Sequence, residues 1–237
     1  MYINEETCTA CGECIPYCTV AAISLNEETA EIDYDECVEC SICVRLNICP
    51  TNSITRDNLV WPRTVRNAMS DVLAMHKITG LGGRGTEEMK TNDVTGRYKE
   101  GFVGVAIEFG RPALGARFYD IEKITKASTE FGVEFEGDNP ISALMSNKVT
   151  GEFPEELLNE KILTGIVEFI IEEKHLNDYL EVLKTVSQKI DSVFSLGLMV
   201  KCDDYGRIPD SISELDVDFY LNGKTCVGLG RKNKEAK

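Results

Sequence analysis

Two cysteine runs decide how the chain folds: CTACGECIPYC, from Cys8 to Cys18, and CVECSICVRLNICP, from Cys37 to Pro50. The first places cysteine at 8, 11, 14 and 18, and the second at 37, 40, 43 and 49, so eight of the ten cysteines fall in one stretch. Soft thiolates on two-residue spacers suit an iron–sulfur cluster, because three consecutive ligands can fold around three corners of one cube. Two runs of four thiols point to two [4Fe–4S] clusters. The rivals are zinc and disulfides. Structural zinc favours pairs of cysteines over triplets, often with histidine, and neither His76 nor His175 is near the set. Disulfides need an oxidising compartment that nothing else in the sequence suggests.

The same stretch repeats itself. Ile3 recurs as Ile32, and Cys8, Cys11 and Cys14 recur as Cys37, Cys40 and Cys43, at an offset of 29 residues. Past the third cysteine the offset is 31, so Cys18 matches Cys49 and Ile23 matches Ile54. Such a repeat implies two similar units that complete one core between them, with the isoleucines covering the clusters. On these motifs residues 1–60 resemble bacterial two-cluster ferredoxins. In those proteins the fourth cysteine of each run serves the other cluster. The resemblance therefore implies Cys8, Cys11, Cys14 and Cys49 for cluster I, and Cys37, Cys40, Cys43 and Cys18 for cluster II. Two departures stand out: Thr19 sits where a proline usually follows the fourth cysteine, and five residues, not three, precede Cys49. The insertion lengthens a loop, whose entropy cost grows slowly with length, and leaves the ligand count intact.

The 237 residues suffice for one large or two modest domains, and the 43% apolar fraction is ordinary for a globular chain. No apolar run is long enough to span a membrane, and Met1 to Glu6 lacks the features of a signal peptide, so a soluble, cytoplasmic protein is expected, and oxygen-sensitive clusters add an anaerobic setting. The net charge is −15, and residues 1–60 alone hold 11 acidic and 2 basic side chains. That sign argues against nucleic acid. It suits either docking on a basic redox partner or plain solubility.

The cluster domain, residues 1–60, should hold short strands at 2–4, 24–25, 32–33 and 54–55. Residues 61–100 read as a connector. A helix capped by Thr64 is expected to run to about Lys77, with Val65, Ala68, Met69, Val72 and Met75 or His76 on one face. A glycine-rich loop follows, in which Gly82, Gly83, Arg84, Gly85, Lys90 and Arg97 could form an anion-binding nest for a carboxylate, phosphate or flavin. A hinge would share that composition. It carries neither the P-loop nor the dinucleotide fingerprint.

Residues 101–237 read as a strand over 103–109, a helix over 116–130, a strand at 133–135 and an irregular insertion over 138–159. A long strand over 162–171, a helix over 175–191 and a strand over 196–202 complete the pattern. This is the split βαβ, ferredoxin-like sandwich, closed by a terminal β-hairpin at Asn222-Gly223. The expected class is α+β. Cys202 and Cys226 read as free thiols on strands.

GRGTEEMKTNDVTGR (83–97), EFGRP (108–112) and DNP (138–140) resemble the N-terminal half of 6-hydroxynicotinate reductases. That resemblance implies low-potential electrons delivered through iron–sulfur and flavin centres to a hydroxylated pyridine ring. A free carrier needs only about the first sixty residues. The expected function is therefore an electron-transfer subunit of a dedicated anaerobic reductase, with a flavoprotein or reductase subunit as redox partner. Flavin would reside in that partner. The alternatives are a catalytic reductase, with a small carboxylate as ligand, and a redox- or ligand-sensing regulatory protein; a homodimer through the C-terminal domain is a further expectation.

Overall fold

The repeat seen in the cysteines also governs how the first strands pair. The computed structural model describes residues 1–77, 79–80, 82, 99–110 and 114–218. Strand β1 (Tyr2–Ile3) pairs antiparallel with β4 (Ile54–Thr55), and β2 (Ile23–Leu25) with β3 (Ala30–Ile32). Each half of the repeat thus ends against the beginning of the other. The strands stop at Ile3 and Ile32, a residue earlier than expected: Asn4 and Asp33 still donate their N–H groups across, to Ser53 O at 2.9 Å and Ala22 O at 2.8 Å, but their side chains begin turns. Asn4 Oδ1 accepts the Glu6 N–H at 2.9 Å, and Asp33 Oδ1 accepts the Asp35 N–H at 2.9 Å. The small core comprises Met1, Ile3, Ile23, Ala30 and Ile54, with Cys14 and Cys43.

Helix α1 (Ile42–Arg45) carries the third cysteine of the second run, Cys43, and buries it. Helix α2 (Thr64–Ser70) is much shorter than the 64–77 expected. It stops because Asp71 turns extended: its carboxylate pairs with Arg45 and, at 3.3 Å, with Arg56, and accepts the Leu73 N–H at 3.0 Å. Val65, Met69 and His76 are buried, but Val72 and Met75, expected inside, are exposed. Thr64 is the first helical residue, not the cap; Arg63 holds that position without a side-chain cap bond.

Beyond the connector, a four-stranded antiparallel sheet has the order β10–β5–β9–β7, with β5 (Phe102–Phe109), β7 (Glu134–Phe135), β9 (Gly165–Glu172) and β10 (Phe194–Met199). β5 and β9 pair over their full lengths, from Phe102↔Glu172 to Phe109↔Gly165. Helix α3 (Phe118–Thr129) follows β5, and α4 (Leu176–Ser187) follows β9. Their Phe118, Ile121, Ile124, Tyr179, Leu180 and Leu183 share one core with Val103, Val105, Ile107 and Phe109. A strand with one covered face was expected at 103–109, but Gly104 and Ala106 are buried as well. The remainder is therefore a mixed α/β unit with its own core.

Several boundaries differ from expectation. Residues 116–117 form a strand, β6, paired with β8 (Lys161–Ile162), so the helix starts at Phe118. The long strand over 162–171 is broken between β8 and β9, where the Leu163 N–H turns to Ser70 Oγ at 2.9 Å. β10 ends at Met199, leaving Cys202 beyond it, half-buried. The terminal hairpin and Cys226 lie outside the described residues. A short helix, α5 (Asp210–Ser213), buries Ile212.

Gly151 has φ +73°, and a Cβ there would stand 2.6 Å from the Thr125 carbonyl group of α3. Gly151→Ala should therefore push the 147–152 turn off that helix and cost about 2 kcal/mol, read as a lower urea midpoint.

Candidate metal centre

Strand pairing explains which thiols meet. Cys49 precedes β4, which lies on β1, and β1 leads into Cys8; Cys18 precedes β2, which lies on β3, and β3 leads into Cys37. One cavity is accordingly lined by Cys8, Cys11, Cys14 and Cys49, with Ile3 and Ile54 on its wall. A second is lined by Cys18, Cys37, Cys40 and Cys43, with Ile23 and Ile32.

The backbone of the two loops repeats with the cysteines. Ala10 and Glu39, one residue before the second cysteine of each run, have φ 52° and 57°; Gly12 and Ser41, one residue after it, have 74° and 60°. Ala21 and Asn52, three residues past each fourth cysteine, both have φ 54°. Non-glycine residues in this region carry strain, and its recurrence at the two offsets of the repeat shows one loop geometry built twice. Cys8 and Cys37 N–H groups bond equivalently, to Asn4 O at 3.0 Å and Asp33 O at 2.9 Å.

Hydrogen-bond donors already face the sulfurs. The Ala22 N–H donates to Cys18 Sγ at 3.1 Å and the Ser53 N–H to Cys49 Sγ at 3.2 Å, again equivalent positions. The Ala30 N–H lies 3.4 Å from Cys8 Sγ. Thr51 and Thr19 hydroxyls stand 3.5 Å from Cys49 Sγ and 3.6 Å from Cys40 Sγ. Thr19, where the ferredoxin pattern usually has proline, thus supplies a contact that proline could not.

The thiols also perturb one another within their sets. Burial pushes Cys43 up to about 11, and Cys40, Cys37 and Cys18 push the same way. Burial likewise raises Cys14, with Cys11, Cys8 and Cys49 adding to it. Cys49 comes down to about 7: burial opposes the shift, but hydrogen bonds from Thr51 and Ser53 overcome it. Among the described residues no three His, Cys, Asp or Glu side chains gather as ligands of a single ion. The four thiols of each set instead ring a cavity. An all-sulfur donor set with N–H and O–H groups aimed at the sulfurs fits an iron–sulfur cluster.

The sequence reading missed the cationic frame around the second set. Arg63, 2.7 Å from Glu39, and Arg66 both reach the Cys37 carbonyl, while Asn67 Nδ2 donates to Glu39 O at 3.0 Å. Glu39 is fully buried, an unusual site for a carboxylate unless it is paired. Arg66 Nε also pairs with Glu160 at 2.5 Å, Arg117 holds Asp35 at 2.8 Å and Glu36 at 2.7 Å, and Lys161 pairs with Glu36. Helix α2 therefore buries Val65 and Met69 in the second core while its polar side grips the cysteine loop. The only sequence signal was the three-residue spacing of Arg63 and Arg66.

Of the glycine-rich loop, Gly82 forms an isolated bridge with Met75. Gly83, Arg84, Gly85, Lys90 and Arg97 lie outside the described residues.

Residues 1–69 match the family described as a 4Fe–4S dicluster domain. Over 62 residues the chain is 37% identical to Ferredoxin-1 of Rhodobacter capsulatus, an alignment covering 26% of this chain and 94% of that protein. It is 40% identical over 62 residues to Ferredoxin-1 of Chlorobaculum tepidum, covering 24% of this chain and 95% of the relative. No solved structure matches the chain.

Proposed function

Because the chain belongs to the 4Fe–4S dicluster family through residues 1–69, we propose that it carries low-potential electrons for one dedicated reductase, with Cys8, Cys11, Cys14 and Cys49 ligating cluster I and Cys18, Cys37, Cys40 and Cys43 ligating cluster II. The observation that carries the assignment is the pair of cavities, each ringed by three thiols of one run and the fourth of the other. When bound, each cluster supplies a site that accepts and releases one electron. The chain's own residues hold the thiolates, donate hydrogen bonds to their sulfurs and exclude water with Ile3, Ile54, Ile23 and Ile32.

Three domains follow: 1–60 for the clusters, 61–100 as connector and 101–237 as a split βαβ unit. The strand order β10–β5–β9–β7, with a helix after β5 and another after β9, supports that last reading. A sandwich of this type serves many roles, so its substrate is inferred from sequence alone. The likeness of residues 83–97 to 6-hydroxynicotinate reductases makes a hydroxylated N-heteroaromatic acid the class to test. No helix among the described residues is long and apolar enough to cross a membrane.

The carrier reading is tested by anaerobic titration with dithionite. The protein should take up about two electrons per chain and return both to an added flavin. Uptake of none would overturn it. Nicotinate-like acids should bind the full chain and lose affinity in Arg84→Ala; no binding to the unaltered chain would remove the substrate assignment and leave the carrier.

A further inference from the structure

We infer that the two cysteine sets are unequal in electron affinity, and that Arg66 and Ser41 make the second set, Cys18, Cys37, Cys40 and Cys43, the one that takes the first electron. The inference rests on the two-cluster reading above. It gives Glu160, in the second unit of the chain, the role of counterweight.

Arg66 is 3% exposed, and its Nη1 donates to the carbonyl oxygens of Tyr34 at 3.2 Å, Asp35 at 2.7 Å and Cys37 at 2.9 Å. Its positive charge is thus fixed on the backbone of a ligand-bearing residue. Arg63 stands beside it, 3.4 Å from the same Cys37 carbonyl, and shares the buried Glu39 with the Met1 amino group, so that two positive charges meet one carboxylate there. Arg66 is paired with Glu160, which lies next to β8 in the other unit.

Ser41 is 1% exposed and lines the second cavity; its hydroxyl meets no acceptor in good hydrogen-bond geometry, and the Asp71 carboxylate is the acceptor that stands near it. A buried hydroxyl without an acceptor is costly, and sulfur is the acceptor the loaded cavity would supply. Asp71 is the rival acceptor. The equivalent residue of the first loop, Gly12, has no side chain to donate, and the charged residue lining the first cavity is the acidic Glu13.

Each one-electron reduction makes a site more negative, forming and breaking no bond. Fixed positive charge and hydrogen bonds to sulfur favour that change, so the second set should fill before the first.

An anaerobic redox titration with dithionite, followed by paramagnetic resonance on the full iron-loaded chain, tests the inference. Two separate one-electron steps are expected, and Cys18→Ala should abolish the upper one. Ser41→Ala should lower the upper step three- to tenfold in electron affinity, where tenfold is about 59 mV. Glu160→Gln should raise it by a similar factor, and neither substitution should move the lower step. Coincident steps, loss of the lower step in Cys18→Ala, or no movement in either Ser41→Ala or Glu160→Gln would overturn the inference. Iron content separates the two claims: about eight irons per chain with coincident steps refutes this inference alone, whereas absent iron refutes the two-cluster reading beneath it.

Discussion

Cys49→Ala should empty the loop of Cys8, Cys11 and Cys14 and leave its own neighbours, Cys37, Cys40 and Cys43, loaded. Cys49 is 35 residues from Cys14 and six from Cys43. Yet the β1–β4 pairing places it on the wall of the first cavity, where it is among the thiols that perturb Cys14. Iron should fall from about eight to about four per chain, since a cube held by three thiolates is readily lost. Peptide-resolved alkylation should find Cys8, Cys11 and Cys14 newly reactive. Cys18→Ala should give the mirror result, exposing Cys37, Cys40 and Cys43. Alkylation confined to the run that carries the substitution would mean that ligation is local, and the crossed assignment would fall.

Removing iron should unfold the first unit and spare the second. Two strands of two residues and two of three hold residues 1–60, with a core of Met1, Ile3, Ile23, Ala30 and Ile54 around the thiols. So small an apolar set cannot offset the chain entropy of sixty residues, and bonds from sulfur to iron make up the difference. The second unit has a separate core in which Val105, Ile107, Val167, Phe169 and Tyr179 are almost completely buried. After anaerobic chelation, amide exchange at Ile3, Ile23, Ile32 and Ile54 should become fast, while Val105, Ile107 and Val167 stay protected. Loss of protection in both units together would show a single cooperative fold and count against the division.

The cysteine spacing was legible because ligand geometry is local: two-residue spacers and a 29-residue offset need no knowledge of the fold. The strand over 103–109 and the helices around Ile121 and Tyr179 were legible for the same reason, since alternation and helical spacing are written along the chain. Long-range pairs hid the rest. Helix α2 ends at Ser70 because Arg45 and Arg56, remote in sequence, hold Asp71. The break between β8 and β9 depends on Ser70, and a Cβ at Gly165 would lie 2.9 Å from Ile141 Cδ1. Burial of Ala106 likewise follows from the sheet's surroundings and not from its own alternation. Glu39 and Ser41 look like ordinary polar spacers in CVECSIC, and become significant only once both prove buried beside the second set of thiols.

Iron and acid-labile sulfide per chain, measured together on anaerobically reconstituted protein and followed by a paramagnetic resonance spectrum after dithionite, test the two-cluster claim most directly. About eight of each, with a signal that appears on reduction, is the expected result. Zinc in place of iron, or iron without sulfide and no signal on reduction, would contradict it.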